Sequence, residues 1–437
     1  MTQPGNTDPA TAQLIALETD IKEGRINEAI AKLKAFNAAY PTDVRVLLID
    51  ALIARARKDT RHELLALHRA TTLAPRWARA FIEAAITLSR EERYPEALTA
   101  IDTALELTPN DRLPLDVAIR TAGAAGNGEV ALTHLRKAHS LWPDDPDIDR
   151  QLGAVLTHLL RHDEAYVHWR AYLARHPDDT AAQMYFGTTL IALRRHAEAC
   201  VVFENMLLRN PGNKTIEFHL TIARGESPTS QPKEVVQGIF DNYASHFDTH
   251  LLSHLKYGVP RHIAEIVLMR HGDNRRLNIL DLGCGTGLVG VHVGRVDGRM
   301  VGVDLSQKML EQARKRNIYS ELHCADLLDA LNTFAPQSFD CIIAADVFVY
   351  VGELSAVIPA CFGVLRPSGA LIFSCESTND GESDLVLRPS KRYAHSRASI
   401  EALCKKSGFA SCTFKSIELR LDANVPIAGF IATAEKA

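Results

Sequence analysis

The residues of this 437-residue chain best placed to do chemistry are an ordered series of acids and glycines in its second half. Asp281-Leu282-Gly283-Cys284-Gly285-Thr286-Gly287 follows an apolar run beginning at Leu277, and Leu288 to Arg295 can start a helix. Glycines at such a junction let the backbone approach a nucleotide closely. Asp304 stands 17 residues past Gly287, at the end of a second apolar run, placed to accept hydrogen bonds from ribose hydroxyls. A third run ends in Cys324-Ala325-Asp326-Leu327, where a carboxylate can take an adenine amino group and Leu327 can pack on the base. Three acids in order, each at a run's end, imply a nucleoside-containing cofactor.

The elements that must position these residues read as a strand-helix alternation from Leu277 onward. The apolar runs LNILDLG, MVGVDLS, YSELHCA, FDCIIAADVFVY and GALIFSCE have SQKMLEQARKR between them and SRASIEALCKKSG after them. Buried parallel strands read as near-continuous apolar runs, and ligands sit at their carboxyl ends, so the acids are where a ligand belongs. Two cofactors compete. Gly285-x-Gly287-x-x-Gly290, with Asp304 19 residues beyond Gly285, satisfies the dinucleotide fingerprint of NAD enzymes. Against NAD, Asp281 puts negative charge beside the helix start where a pyrophosphate would lie, and suits a cation such as an ammonium next to a sulfonium.

D-x-G-x-G-x-G followed by the acid of the second strand resembles class I S-adenosylmethionine methyltransferases, over roughly residues 234–437. The Asp346 end of the fourth strand and Leu365-Arg-Pro-Ser-Gly369-Ala-Leu-Ile-Phe-Ser fit the same resemblance. It implies an α/β, Rossmann-like, seven-stranded domain closing in a reversed hairpin, from about Thr413 to Leu419 and Ile427 to Thr433. It also implies S-adenosylmethionine as cofactor: Asp281 on the methionine amine, Gly283, Gly285 and Gly287 along its backbone, Asp304 on the ribose, Asp326 and Leu327 on the adenine, with Asp346 beside the cofactor. Leu282 and Cys284 are read as packing. Phe240-Asp241-x-Tyr243-Ala244-x-x-Phe247-Asp248-x-His250-Leu251, Leu255-x-Tyr257-x-x-Pro260 and Arg392-Tyr393-Ala394-His395-Ser396 are similar to segments of predicted bacterial methyltransferases that carry tetratricopeptide repeats. Tyr243 or Phe247 would then touch the cofactor.

Methyl transfer is a displacement at carbon, accelerated mainly by alignment in a dry pocket, with a base needed only if the acceptor must lose a proton. His395 is the first expectation for that base, with Tyr393 or Tyr350 orienting the acceptor; Glu376 and Asp346 also lie at or beyond strand ends. Asp346-Val-Phe-Val is not the Pro-Pro-aromatic segment of base amino-methylating enzymes, no Pro-Cys nucleophile is present, and aromatics are only 6%. Nucleic acid is therefore not the expected substrate.

The first half is periodic. Pro41, Pro75, Pro109, Pro143, Pro177 and Pro211 fall at intervals of 34 residues. Twelve residues before each stands Ala29, Glu63, Ala97, Ala131, Ala165 or Ala199; eight before, Leu33, Leu67, Ile101, Leu135, Trp169 or Phe203; 24 before, Leu17, Ala51, Ala85, Ile119, Gly153 or Gly187. The pattern resembles tetratricopeptide repeats, which implies an all-α superhelical solenoid over residues 10–224, counting a capping helix, with a concave groove for a protein or peptide or for dimerisation. The polar, proline-bearing stretch GESPTSQPK, residues 225–233, reads as a linker.

Net charge is −4 and hydrophobic residues make up 46%, so no global field draws the chain to nucleic acid or an anionic membrane. No basic, apolar leader or uncharged run of ~20 residues is seen, which predicts a cytoplasmic protein without a membrane partner. Eight cysteines without a CxxC pair read as free thiols, and no closely spaced Cys or His pair predicts a metal centre. The chain is thus expected to methylate a small-molecule or peptide acceptor; an NAD-dependent oxidoreductase and an inactive repeat scaffold are the alternatives.

Overall fold

The computed structural model describes residues 9–243, 258–272, 276–422 and 425–437. The chain divides into two compact units, Met1–Val202 and Phe203–Ala437.

The first unit is helical. Its helices are α1 (Pro9–Lys22), α2 (Ile26–Ala39), α3 (Arg45–Ala56), α4 (Thr60–Leu73), α5 (Ala78–Arg90) and α6 (Tyr94–Leu107). They continue as α7 (Arg112–Ala124), α8 (Gly128–Leu141), α9 (Pro146–His158), α10 (His162–Arg175), α11 (Thr180–Ala192) and α12 (His196–Arg209), the last crossing into the second unit. α1 packs on α2, α3 on α4, α5 on α6, α7 on α8 and α9 on α10, and each pair packs on the next. The periodic prolines stop the second helix of each pair. The residue before each of the first five, Tyr40, Ala74, Thr108, Trp142 or His176, sits at φ between −127° and −137° and ψ between 62° and 73°, outside the helical region that a following proline disfavours.

A second 34-residue series marks the turn inside each pair: Gly24, Lys58, Glu92, Gly126, Leu160 and Arg194 all have φ between 58° and 78°. The small and large positions meet as the spacing requires. A methyl group on Gly153 would lie 2.7 Å from the Trp169 indole. Glu63, the exception among the alanines, is fully buried and compensated: its carboxylate accepts from Arg55 Nε, Arg90 Nη2 and Thr87 Oγ1, each at 2.7 Å.

The second unit adds α13 (Lys214–Ala223) and α14 (Lys233–Tyr243), then a sheet flanked by helices. Its strands are β1 (Ile279–Leu282), β2 (Met300–Asp304), β3 (Glu321–Cys324), β4 (Phe339–Ala344), β5 (Leu365–Ser377), β6 (Leu385–Leu387), β7 (Tyr393–His395), β8 (Ser411–Asp422) and β9 (Val425–Glu435). The order is β3-β2-β1-β4-β5-β7-β6, with β9 pairing antiparallel to β5 and β8 to β9. Nine strands are therefore present among the described residues where the family resemblance implied seven. The added pair, β6 and β7, is three residues a strand, too short for a period-two pattern to show, and β7 extends the sheet in parallel from the end of β5. The closing hairpin is longer than expected and carries a register shift between Glu418 and Arg420. Alternate strand residues feed two cores: Leu280, Val303, Ile342 and Phe373 into one, Ile279, Cys341, Ile343 and Ile372 into the other. Both faces of β1, β2 and β4 are covered, which is why they read as unbroken apolar runs, whereas β3, at the sheet edge, is largely exposed. All eight cysteines are free.

Candidate active site

At the carboxyl ends of β1, β2 and β4 lies a cavity of about 440 Å³. It brings together Gly283, Gly285, Asp304, Asp326, Leu327, Asp346 and Tyr350. Gly283 has φ 63°, and a methyl group there would lie 2.5 Å from Val347, so the loop between β1 and the helix Leu288–Val293 requires glycine twice over.

Asp304, at the end of β2, accepts from the Gly285 backbone N–H at 2.8 Å and from the Ser306 N–H at 2.9 Å. These bonds tie the glycine loop to the second strand. Burial raises the Asp304 carboxyl above its usual range, and the two N–H bonds pull it back down. Ser306 in turn donates through Oγ to Asp241 at 2.6 Å, which fixes α14 beside the loop. Asp326 caps the helix Leu327–Thr333 by accepting from Leu328 N at 2.9 Å.

Asp281 and Gly287 are not among the residues that line the cavity. Asp281 is 1% exposed beneath the loop, where its Oδ2 accepts from the Tyr319 hydroxyl at 2.7 Å and its Oδ1 has no partner among the described residues. Burial pushes this carboxyl up to about 7; the Tyr319 hydroxyl lowers it and the nearby Asp304 raises it. Gly287 and Gly290 lie against the Tyr319 ring, which a methyl group on either would meet within 3.0 Å. Cys284, expected only as packing, does line the cavity, its thiol pushed well up by burial.

The residues expected to handle the acceptor separate into two groups. Tyr350 is in the cavity: Arg392 Nε donates to its hydroxyl at 2.9 Å and Phe240 stands edge-on to its ring at 5.1 Å. His395 and Tyr393 are not. His395 is 4% exposed in β7, with Nε2 donating to the Gly352 carbonyl at 2.7 Å, and burial lowers its basicity. The Tyr393 hydroxyl donates to the Pro228 carbonyl at 2.9 Å. Each holds neighbouring backbone through one polar atom and neither lines the cavity, while His395 Nδ1 has no partner among the described residues. Glu376 is occupied as well, by Arg420 Nη2 at 2.9 Å.

Asp346 stands at the end of β4 with φ 54°, a conformation costly for a residue with a side chain and concentrated at functional sites. Its carboxylate accepts from Ser374 Oγ at 2.8 Å and Arg420 Nη1 at 3.5 Å, and burial raises its pKa against the pull of Arg420. Arg420 also lines the cavity, reaching it from the far hairpin at the register shift in β8. No motif announces it. Residues 228–231, read as linker, are bound to the sheet unit: Pro228 O and Thr229 O accept from Tyr393 and from the Glu353 N–H at 2.8 Å, and Gln231 donates to Lys391 O. Ser230 and Gln231 are part of the cavity wall. The Tyr243 side chain, Phe247 and Tyr257 lie outside the described residues.

Residues 279–369 match the family described as the methyltransferase domain. The chain is similar to the ubiquinone biosynthesis O-methyltransferase of Proteus mirabilis (strain HI4320), 26% identical over 104 residues, 23% of this chain and 42% of that protein. It is likewise similar to the enzyme of that name from Neisseria meningitidis serogroup C (strain 053442), 30% identical over 118 residues, 25% of this chain and 48% of that protein. The chain thus spans less than half the length of these curated relatives. Among solved structures it is similar to the magnesium protoporphyrin IX methyltransferase of Synechocystis PCC 6803 with bound SAH, at 20% identity and a TM-score of 0.37, over 47% of this chain and 99% of that one. The glycine loop, Asp304, Asp326 and Asp346 all fall within the stretch that carries the methyltransferase-domain sequence.

Proposed function

We propose that the chain binds S-adenosylmethionine in this cavity and methylates a small-molecule acceptor there, in the cytoplasm, while its N-terminal helices form six tetratricopeptide repeats that hold a protein or peptide. The observation that carries the reading is one cavity uniting Gly283, Gly285, Asp304 and the Asp326-Leu327 pair above a buried acid, Asp281, with an unpartnered oxygen. Buried negative charge beneath the loop favours a cationic ligand and opposes a pyrophosphate. The glycines that would make a dinucleotide fingerprint, Gly287 and Gly290, lie against Tyr319 instead, and the helix they open is only six residues long.

The cofactor would supply an electrophilic methyl group on a sulfonium. The chain's own residues align and shield. Val236, Phe240, Val351 and Val357 give the cavity an apolar wall that excludes water. Tyr350 accepts from Arg392 and so keeps its own proton to donate, which suits it to orient an acceptor oxygen or nitrogen. With His395 outside the cavity lining, Asp346 is a cavity carboxylate placed to receive an acceptor proton, its basicity increased by burial. The similarity to proteins named ubiquinone biosynthesis O-methyltransferases supports a small molecule over a peptide at the reaction centre.

Calorimetric titration with S-adenosylmethionine, S-adenosylhomocysteine and NAD in parallel tests the reading. Micromolar binding of the two adenosyl compounds is expected, and it falls at least ~30-fold in Asp304→Ala, equivalent to about 2 kcal/mol, because the loop loses its anchor and the ribose its acceptor. Binding of NAD alone would overturn it.

A further inference from the structure

His139 on α8, Asp149 on α9 and His168 on α10 offer two imidazole nitrogens and a carboxylate oxygen that all lie within 4.8 Å of one another. Among the described residues no other three His, Cys, Asp or Glu side chains are grouped this closely. His168 Nδ1 is 2.8 Å and His139 Nε2 3.6 Å from Asp149 Oδ1. The two imidazoles stand at 87° to each other, centroids 5.3 Å apart, so they do not stack. A tetrahedral ion bound at ~2.0–2.1 Å spaces its ligand atoms roughly 3.4 Å apart, and the observed separations bracket that value.

The repeat register supplies an independent reason. The position of Asp149, 28 residues before its proline, holds Gln13, Leu47, Phe81, Leu115 and Gln183 in the other five repeats. The position of His139, four before its proline, holds Asn37, Thr71, Leu105, Leu173 and Leu207 in the other five repeats. Only at this junction between the fourth and fifth helical pairs do both positions carry ligand-type side chains, one of them a carboxylate only 5% exposed. Burying such a group costs stability unless a strong partner compensates it.

We propose that His139, Asp149 and His168 bind a borderline divalent transition cation of the zinc class. Two imidazoles and one carboxylate suit zinc, cobalt or nickel, whereas magnesium and calcium take oxygen ligands. The His139 and His168 side chains are 36% and 20% exposed, so the ion keeps a position open to water or to a ligand atom of a bound partner. The ligands lie 10 and 19 residues apart in sequence, outside any zinc-motif spacing, which is why the sequence predicted no metal.

The test titrates zinc chloride into the tag-free, metal-stripped full chain, then cobalt chloride with visible spectroscopy. One equivalent of zinc is expected, weakened at least ~tenfold in His168→Gln and in His139→Gln, with a cobalt d–d spectrum that lacks a thiolate charge-transfer band. Absence of zinc binding, binding unchanged in both variants, or a thiolate band assigning the ion to cysteines would each overturn the proposal. Circular dichroism and S-adenosylhomocysteine affinity, both expected to be unchanged, establish that the variants are folded; should His168→Gln unfold, the more exposed His139→Gln carries the test.

Discussion

Asp281 concentrates the chemistry of the site in one side chain. Its carboxyl, held at about 7 chiefly by burial, is half-ionised near neutrality, and its Oδ1 has no partner to stabilise the anion. A cation above the loop is attracted only when Asp281 is charged. Affinity for S-adenosylhomocysteine, whose ammonium is that cation, should therefore rise between pH 6 and pH 8, by up to roughly tenfold per pH unit on the acid side. The ligand's own amine titrates identically in wild type and variant, so the difference from isosteric Asp281→Asn isolates the protein's contribution. Calorimetry at four pH values measures it, and parallel pH profiles for the two proteins would remove Asp281 from cation recognition. The glycine loop and the three strand-end acids were legible in the sequence because strand ends gather residues at short, regular spacing. Tyr319 and Arg420 were not, because each reaches the site from an element whose local sequence has no pattern pointing there; Arg392 lay in a recognised segment, but its bond to Tyr350 joins residues 42 apart in sequence.

At the scale of elements, the segment 228–231 is a strap rather than a tether, held by main-chain carbonyls that no sequence pattern marks. Tyr393→Phe removes one anchor and leaves the Pro228 carbonyl without its buried donor. A loss of about 1 kcal/mol, near fivefold in S-adenosylhomocysteine affinity, is expected, together with faster hydrogen exchange over residues 226–232. Unchanged exchange there would show that the strap stands without Tyr393. The helical pairs were legible to the residue at their prolines, yet the turn series was hidden, since only Gly24 and Gly126 among its six members are glycine. Leu160, at φ 58° and 70% exposed, bears the cost of a left-handed backbone without compensating burial. That cost is about 1–2 kcal/mol, against ~0.5–1 kcal/mol for the extra freedom of glycine in the unfolded chain. Leu160→Gly should raise the melting temperature of the helical unit by a few degrees at most, and Gly126→Ala should lower it.

At the scale of the whole molecule, two buried groups of the second unit bend its stability in opposite directions with pH. His219, 4% exposed and stacked on Phe203 with ring centroids 5.6 Å apart, is lowered from 6.5 to about 3, by burial first and then by Lys391. Between those values the unfolded chain binds a proton that the folded chain does not, so His219 removes stability as pH falls below 6.5. Asp281 does the reverse: raised from 3.8 to about 7, it binds a proton in the folded state only, and its contribution is lost as pH rises through that window. Each is worth up to roughly 4 kcal/mol, so between about pH 4 and pH 6.5 the pair largely cancels and masks both groups in the wild-type protein. Single variants unmask them. His219→Leu, measured against wild type by chemical denaturation, should gain relative stability as pH is lowered from 7 to 4, by up to roughly 3 kcal/mol. Asp281→Asn should lose relative stability over the same range, because the wild type gains there the proton that the amide cannot bind. Differences that do not vary with pH would mean that water reaches these side chains and that neither is as deeply desolvated as its burial implies.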